Sequence, residues 1–408
     1  MTDKERTEPA SSGGRKFNGR LLSPSRVGDV NRSRVLQAFC DHGPLSRAEL
    51  ARMAGVTRAT IGNIVQALMD AGLIEEDEPR RLAGRVGKPA RPLWFTAKAG
   101  LSGAAAIGRG TVDLALANAR GELLERAQTE FDPADPEGVA VVEAVCAGLK
   151  KVLPRRTSEL LGIGIAVPGV CDTSRGRILA SGQVPGLRGT TLVDAVHKQF
   201  QSPVLVDNDS RAQALGEKWF GEGRGRDTFA SIQTGHGLGV GLVLNGVVYR
   251  GDRGETGELG HTCVVVGGER CRCGLKGCWE TIATLRWLRG EAAKRELAHA
   301  SRMDAKSLVA LASEGSTEAR DLLRTYADNL AVGLANLTQL IKPQLLILHG
   351  DAVGGGEEFR AMIEDRTRSR SLQYLRPSVK VALSHLDQDA GLLGTVGLVL
   401  SETFNRSA

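Results

Sequence analysis

Several features are missing from this 408-residue chain, and each absence narrows its class. No apolar run approaches the roughly 18 residues that a membrane-spanning helix needs, so we expect no membrane segment. The first six residues lack the apolar stretch of a secretory signal peptide. The seven cysteines are odd in number, and three fall within eight residues, which argues against a disulfide framework. We therefore predict a cytoplasmic protein, and 408 residues are enough for two or three cores.

Excess positive charge is also missing from most of the chain. Residues 1–100 hold 17 Lys and Arg against 11 Asp and Glu, whereas the rest of the chain holds 36 of each. The whole net charge of +6 therefore lies in the first quarter. A localised basic excess is the electrostatic footprint of binding to a phosphate backbone. An ordinary surface would also account for six charges, so the count alone gives DNA a modest preference.

One histidine and three cysteines form the most specific pattern. They follow H-x9-C-x-C-x4-C, with glycines that allow tight turns between the cysteines. Three thiolates and one imidazole are a closed tetrahedral ligand set, typical of structural zinc because a catalytic zinc keeps one position open. Buried thiols are the simpler interpretation, but three cysteines this close together favour a metal. We predict a structural Zn²⁺ in a motif spanning residues 257–280, with the ligands His261, Cys271, Cys273 and Cys278.

Residues 29–98 have the pattern of a winged helix-turn-helix. Residues 1–28 are rich in Ser, Gly, Arg and Pro without periodicity, which predicts a disordered tail. A capping box at Ser46–Glu49 opens one helix, Gly55 supplies a turn, and Thr57 caps a second helix over 58–71. Two short strands over 72–76 and 93–96 would flank a basic wing tip.

A plain pair of packed helices does not explain the wing, and a protein-docking surface is the remaining alternative. Polar residues at the start of the second helix suit a major groove, and arginines at a wing tip suit a narrow minor groove. We predict DNA contacts from Arg47, Thr57, Arg58, Ala59, Thr60, Asn63, Arg85, Lys88 and Arg91.

Beyond residue 99 short buried strands alternate with helices. Residues 104–118 have the pattern of a strand, a tight turn and a strand, and further strands are predicted at 161–169, 204–206 and 345–348. Helices are predicted over 139–150, 192–200 and 317–341. This alternation predicts α/β lobes with mixed sheets over residues 99–408.

The zinc motif is also where the chain resembles a known family. Gly-Glu-x-Gly-His at 257–261, followed by Cys-x-Cys-Gly-x-x-Gly-Cys-x-Glu at 271–280, closely resembles the signature of the ROK family of repressors, open reading frames and sugar kinases. Val206–Asp209 resembles the family's Asn-Asp motif, and Thr234–Gly241 resembles its second phosphate loop. The resemblance covers about residues 103–400. It implies an α/β fold in which an N-terminal winged helix-turn-helix precedes a two-lobed actin-like ROK domain of the sugar-kinase type.

The resemblance further implies a sugar site. Asp209 would be the general base, Asn208 would orient the sugar, and Gly169 would bring backbone close to it. Carboxylates accept hydrogen bonds from vicinal hydroxyls in a defined geometry, so such a site reads stereochemistry. The implied sugar-binding residues are Gly169, Asn208, Asp209, Glu258, His261 and Glu280.

The implied phosphate site is incomplete. Family kinases carry Asp-x-Gly-Gly-Thr in the first loop, where this chain has Ala106 in place of the Mg²⁺-placing Asp and Arg109 in place of the second Gly. Gly350-Asp351 stands where the family has consecutive glycines near adenosine. Phosphoryl transfer depends on positioning and charge neutralisation, so we predict a pseudo-kinase. The phosphate-loop residues would be Gly108, Arg109, Gly110, Thr234, Gly235 and Gly237.

Together these features predict a sugar-responsive DNA-binding transcriptional regulator, a repressor acting on palindromic operator DNA as a homodimer or tetramer. Its effector would be a free sugar, or a phosphosugar whose phosphate is held by Arg109. An active ATP-dependent sugar kinase with a regulatory DNA-binding domain is the alternative that the sequence leaves open.

Overall fold

The structure is a computed structural model that describes residues 24–77, 91–155, 159–251, 254 and 256–406. The predicted DNA contacts Arg85 and Lys88, and residues 1–23 of the predicted tail, lie outside the described residues. None of the helices formed by the described residues is both long and apolar enough to cross a membrane.

The N-terminal unit has three helices and a two-stranded antiparallel sheet, as predicted. The capping box at Ser46 and Glu49 is present, and Gly55 ends the first helix of the pair in the left-handed conformation at φ 65°. Thr57 caps the next helix by accepting a hydrogen bond from the backbone N–H of Thr60 at 3.1 Å. The elements are α1 Pro24–His42, α2 Arg47–Ala54, α3 Arg58–Asp70, β1 Ile74–Glu76 and β2 Leu93–Phe95.

The predicted boundary of the tail at residue 28 is wrong. Helix α1 begins at Pro24, four residues before Gly28. Proline suits the first position of a helix because its missing N–H has no partner there and its φ is already helical. Polar residues around Gly28 hide this start, since they supply no apolar period.

The first lobe is built on a mixed five-stranded sheet in the order β5-β4-β3-β6-β9. Strands β3 to β5 form an antiparallel meander, and β6 and β9 join it in parallel. The hairpin of β7 and β8 follows β6 and stands apart from this sheet. The elements are β3 Leu101–Ile107, β4 Thr111–Asn118, β5 Leu123–Glu130, α4 Val139–Val152, β6 Leu160–Val167, β7 Val170–Asp172, β8 Arg177–Ala180, α5 Leu192–Phe200 and β9 Val204–Asn208.

The second lobe repeats this plan with a sheet in the order β12-β11-β10-β13-β14. Strands β10 and β13 pair in parallel at its centre. The strands are β10 Phe229–Thr234, β11 Gly239–Leu244, β12 Val247–Val248, β13 Leu346–Gly350 and β14 Val381–Leu383. The helices are α7 Leu285–Lys294, α8 Ala305–Ser313, α9 Thr317–Ile341, α10 Asp351–Gly354 and α11 Gly356–Arg370.

Two helices, α6 Asp209–Phe220 and α12 Ala390–Arg406, cross between the lobes. A Cβ atom at Gly394 would collide with the carbonyl oxygen of Ala212, and one at Gly216 would collide with that of Ala390. The two helices can therefore approach this closely only with glycine at both positions. α12 also packs against β3, β6 and α1, so it contacts the N-terminal unit as well.

The N-terminal unit and the lobes share one core. Phe39, Trp94 and Phe95 belong to the same buried cluster as Trp219 of α6 and Val396 of α12. At the edge of this contact, Arg120 in the β4–β5 turn donates to Glu75 at 2.7 Å and to Asp77 at 2.5 Å. The fold class predicted from the sequence, a winged helix followed by two α/β lobes, is confirmed.

Candidate functional site

A cleft of about 870 Å³ opens between the lobes, where the carboxyl ends of the central parallel strands meet. Its walls come from the turn after β6, the β9–α6 junction, the β10–β11 loop, the zinc motif, and the β13–α10 junction. The six residues that the resemblance implied for sugar binding all line it: Gly169, Asn208, Asp209, Glu258, His261 and Glu280.

The β9–α6 junction fixes two of these side chains. Asn208 is the N-cap of α6, and its Oδ1 accepts from the backbone N–H groups of Ser210 at 3.0 Å and Arg211 at 3.2 Å. Its Nδ2 donates to the carbonyl of Gly169 at 3.0 Å, which ties the turn after β6 to this helix. The neighbouring Asp207 is buried and accepts from Arg211 Nε at 2.6 Å, so its carboxylate braces the junction from below.

Asp209, the first residue of α6, has an unusual carboxyl group. Burial raises the pKa of Asp209 to about 6, and the negative charge of Glu258 acts in the same direction. Hydrogen bonds from Ser210 oppose the rise, because they stabilise the ionised form. A carboxyl group with a pKa near neutrality is suited to accepting a proton, which is the role that the resemblance implied for Asp209.

The predicted zinc ligands converge on one point. The ligand atoms of His261, Cys271, Cys273 and Cys278 all lie within 4.8 Å of one another. The Sγ atoms of Cys273 and Cys278 are 3.7 Å apart, and Cys271 Sγ is 3.6 Å from His261 Nδ1. Tetrahedral zinc with Zn–S bonds of about 2.3 Å needs S–S separations of about 3.8 Å. The four residues therefore fit a tetrahedral zinc ion in both chemistry and spacing.

His261 faces two ways. Its Nδ1 is directed at the sulfur atoms, and its Nε2 lies 3.8 Å from a carboxylate oxygen of Glu258 in the cleft. A metal bound at Nδ1 would fix the ring and leave Nε2–H as a donor toward the cleft.

Sequence reasoning missed the partner of Glu280. Glu280 is buried, and its carboxylate accepts from Arg272 Nε at 2.9 Å. Arg272 lies between two of the predicted zinc ligands, so a metal bound there would hold its backbone on both sides. A guanidinium at the middle position of Cys-x-Cys, opposite an acid, is a signal that the sequence did carry.

The two phosphate loops differ in placement. Thr234, Gly235 and Gly237 line the cleft. Gly108, Arg109 and Gly110 form the β3–β4 turn, and they are not among the residues that line it.

The turn of the first loop contacts the segment that follows β5. Phe131 donates a backbone hydrogen bond to Gly110 at 3.0 Å, and the side chain of Arg109 is exposed. Ala106 and Ile107, which precede this turn, line a smaller cavity of about 190 Å³ beside Asp209. The structure gives no support to Arg109 as a holder of phosphate in the cleft.

Asp351 closes the far end of the cleft. It is the first residue of α10, and its two carboxylate oxygens accept from the backbone N–H of Ala305 at 2.9 Å and from the hydroxyl of Tyr326 at 2.8 Å. Burial raises the pKa of the Asp351 carboxyl group. Asp351 therefore places a carboxyl group in the cleft at the position where the resemblance implied a glycine beside a nucleotide.

The candidate nucleic-acid face lies at the start of α3. The side chains of Thr57, Arg58, Ala59, Thr60 and Asn63 are all exposed, while Ile61 and Val65 point into the core. A recognition helix needs this division between an open and a buried side.

The two other predicted DNA contacts that the structure describes, Arg47 and Arg91, form ion pairs within the N-terminal unit. Arg47 and Arg91 both form ion pairs with Glu76, Arg91 at 3.4 Å. The Arg47 guanidinium holds the pKa of Glu76 below its usual value. Arg47, the first residue of α2, is therefore engaged with Glu76 of β1 and is not free to contact DNA without breaking this ion pair.

Comparison with known proteins covers nearly the whole chain. The sequence pattern of the ROK family matches residues 102–402, and that of the MarR family matches residues 29–82. The chain is 27% identical over 390 residues to the xylose repressor of Caldicellulosiruptor bescii, covering 91% of this chain and 96% of the repressor.

Two solved structures match different shares of the chain. A ROK family transcriptional regulator, a homologue of the Escherichia coli Mlc protein, covers 94% of this chain and 99% of its own, with 26% identity and a TM-score of 0.75. A ROK family glucokinase from Streptomyces griseus, solved with glucose and AMPPNP, covers 73% of this chain and 99% of its own, with 29% identity and a TM-score of 0.64. The kinase leaves about a quarter of this chain without a counterpart, while the regulator does not.

The raised pKa of Asp209 predicts a pH-dependent stability. Because the folded pKa of about 6 lies above the ordinary value of 3.8, ionised Asp209 destabilises the fold, and stability falls as pH rises through 6. Asp209→Asn removes this titration, so at pH 7.5 the variant should be more stable by about 1–3 kcal/mol. The difference should disappear near pH 4.

Denaturant unfolding between pH 4 and pH 8 measures both proteins, with Asp365→Asn on the exposed face of α11 as the control. Identical pH profiles for Asp209→Asn and the wild type would show that this carboxyl group is not destabilised by burial.

Proposed function

The chain belongs to the ROK family, and we propose that it is a sugar-responsive repressor that binds operator DNA through its winged helix-turn-helix. The observation that carries this proposal is the course of helix α6. Its N-cap Asn208 and its first residue Asp209 line the cleft, and its last turn meets the winged helix unit. One rigid element thus contacts both the site for an effector and the unit for DNA.

The contact at the far end of α6 is aromatic. Trp219 stacks on Phe95 of β2 with a centroid distance of 5.8 Å and an interplanar angle of 20°. Trp219 also lies 5.9 Å from Trp94, and the guanidinium of Arg224 sits 5.4 Å above the Trp94 ring. Close-packed interiors transmit displacement because they have few voids in which to absorb it.

A sugar bound across the cleft would touch both lobes and favour their closed arrangement. We propose that closure moves α6 relative to β2 and changes how the two winged helices of an oligomer fit one operator. The effector can shift this equilibrium only by its differential affinity for the two arrangements, which is typically about 1–3 kcal/mol. This coupling corresponds to an operator affinity that falls by about 5- to 150-fold when the sugar binds.

The oligomer and the operator are part of the proposal. A dimer or tetramer would present paired recognition helices, and a two-fold protein would select palindromic DNA. The exposed start of α3 and the similarity of the whole chain to a xylose repressor and to a ROK family transcriptional regulator support DNA as the partner. A DNA-binding regulator of this kind acts in the cytoplasm.

The main test uses Glu258, whose side chain is half exposed in the cleft. We expect Glu258→Ala to bind the operator as the wild type does and to lose its response to sugar. Removing one charged acceptor of hydroxyl groups should weaken sugar affinity by roughly 10- to 100-fold. The measurement is fluorescence anisotropy of an operator fragment, selected by binding to the wild-type protein, titrated with a panel of pentoses and hexoses.

Glu269→Ala is the matched control, because Glu269 is exposed on the same segment but does not line the cleft. It should respond to sugar as the wild type does. Loss of operator binding in Glu258→Ala would mean that this residue supports the fold, and the effector site would have to be sought elsewhere.

We propose that Zn²⁺ is bound by His261, Cys271, Cys273 and Cys278 as a structural ion that holds Glu258 and Glu280 in place. Cys271→Ser should lose the metal, about one ion per chain, and lose the sugar response while still binding the operator. Metal analysis of purified protein and the anisotropy titration measure the two effects.

Cys263→Ser is the control for this experiment. Cys263 is an exposed thiol of the same loop and is not part of the cluster of four. It should keep its metal and its sugar response. Wild-type protein that contains no zinc after expression with zinc present would rule the ion out.

We propose that the chain is not a sugar kinase. Three features support this: Ala106 in place of a metal-placing carboxylate, the position of the Gly108–Gly110 turn outside the lining of the cleft, and the partly buried Asp351 at the β13–α10 junction. Phosphoryl transfer needs Mg²⁺ and donors around the transferred group.

Incubation with ATP, Mg²⁺ and the sugar panel should therefore release no ADP above the rate without sugar. Family kinases work at about 1–100 turnovers per second. Turnover in this range would establish the alternative, an active sugar kinase with a regulatory DNA-binding unit, whatever the operator assay shows.

A further inference from the structure

A second concave site of about 700 Å³ lies at the tip of the β7–β8 hairpin. We call it the hairpin cavity. None of the described residues that line it also lines the cleft between the lobes. Its principal lining residues are Arg175, Arg177, Ile178, Arg188, Val193 and Asp194.

The hairpin cavity is shaped by two backbone features. Gly176 occupies the hairpin tip in the left-handed region at φ +63°, and a Cβ atom there would lie 3.5 Å from the side chain of Val193. The tip therefore packs on the first turn of α5. On the other side, the backbone N–H of Gly189 donates to the carbonyl of Ile178 at 3.2 Å. These contacts bring the arginines of the hairpin and of the loop before α5 to one concavity.

The charge of the hairpin cavity is unbalanced. It is lined by three arginines and by one acid, Asp194. Arg175 Nε lies 3.9 Å from Asp172, whose carboxylate already accepts from Ser174 at 2.6 Å. The side chains of Arg177 and Arg188 have no hydrogen-bond or ion-pair acceptor among the described residues. Two guanidinium groups thus lie beside a cavity whose lining offers one carboxylate, Asp194, to three arginines.

The floor of the hairpin cavity is apolar. Ile178 is 4% exposed, and Val193 and Leu179 complete this surface. Small-molecule sites in proteins have volumes of about 300–1,000 Å³ and combine apolar walls with a few polar groups. Arginine is suited to phosphate because its planar fork donates two parallel hydrogen bonds. The backbone amides at the start of α5 strengthen the positive field of the arginines.

We propose that the hairpin cavity binds a small phosphorylated metabolite, with Arg177 and Arg188 on the phosphate and its carbon skeleton on Ile178, Leu179 and Val193. The site is separate from the sugar site of the proposed function. A phosphorylated ligand fits better than a macromolecule, because the arginines surround a concave space and do not form a stripe across a convex face.

The probe for this site is glycerol 3-phosphate, and its neutral counterpart is glycerol. Isothermal titration calorimetry on the full chain should show saturable binding of glycerol 3-phosphate, tighter than about 1 mM, and none of glycerol. Arg177→Gln combined with Arg188→Gln should weaken this binding by at least about tenfold, because both charged donors are lost. Each single variant should show an intermediate affinity.

Arg324→Gln is the matched control, since Arg324 is an exposed arginine of α9 that pairs with Asp321 at 3.3 Å. It should bind the probe as the wild type does, and the melting temperature of every variant shows that it is folded. The absence of saturable binding to the wild type, or equal affinity in the double variant, would overturn the proposal.

DNA backbone binding is a third distinguishable outcome. A double variant that binds glycerol 3-phosphate normally but loses operator affinity, with a shallower dependence on salt, would assign these arginines to DNA phosphates instead. The sugar response of the Glu258 experiment is read from a different site, so either proposal can fail without the other.

Discussion

Trp219 stacks on Phe95 within a core that contains side chains from the winged helix unit and from both crossing helices. This contact makes the N-terminal unit part of the same packed body as the lobes. Without this contact the last turn of α6 would be exposed to solvent. A movement of α6 at the cleft would then not be passed to β2 by direct packing. The ion pairs of Arg120 with Glu75 and Asp77 lie at the edge of the same contact and tie β1 to the β4–β5 turn of the first lobe.

The close crossing of α6 and α12 adds a second constraint. Glycine at 216 and 394 lets the two backbones touch, so neither helix can shift alone. α12 packs on the first lobe through β3 and β6, while α6 packs on the second through β10 and β11. A relative movement of the lobes therefore reaches both helices, and both helices contact the N-terminal unit. In the proposed repressor, these contacts link closure of the cleft to a change in the position of the winged helix units that bind the operator.

The parts of this architecture that depend on local patterns could be predicted from the sequence. The capping box at Ser46–Glu49 and the helix over 317–341 were predicted correctly because hydrogen-bonding groups and apolar period are local properties. The ligand set at His261 and Cys271–Cys278 follows from chemistry and spacing, and the side chains do converge.

Contacts between distant segments could not be predicted in this way. The stack of Trp219 on Phe95 depends on how two segments meet after folding, and a single sequence carries no record of that. The start of α1 at Pro24 was missed for a local reason, because its polar residues leave no apolar period.

A cleft that binds a sugar and one that phosphorylates it make different demands on the same residues. Binding needs fixed acceptors for hydroxyl groups, and in the proposed repressor the carboxylate of Glu258 would supply one of them in the cleft. Phosphoryl transfer also needs a metal and an ordered set of donors around the transferred group. Those demands fall on the end of β3 and on the β13–α10 junction, where this chain has Ala106 and Asp351.

The buried carboxyl group of Asp209 sharpens this difference. Its raised pKa is a destabilising feature that a purely structural position would not retain, since asparagine would make the same hydrogen bonds without the charge. A carboxylate accepts from a sugar hydroxyl more strongly than an amide does. Affinity for the effector is therefore sufficient reason to keep Asp209, even in a chain that transfers no phosphate. In the proposed repressor, the residue that would act as a base in a kinase serves to bind the sugar.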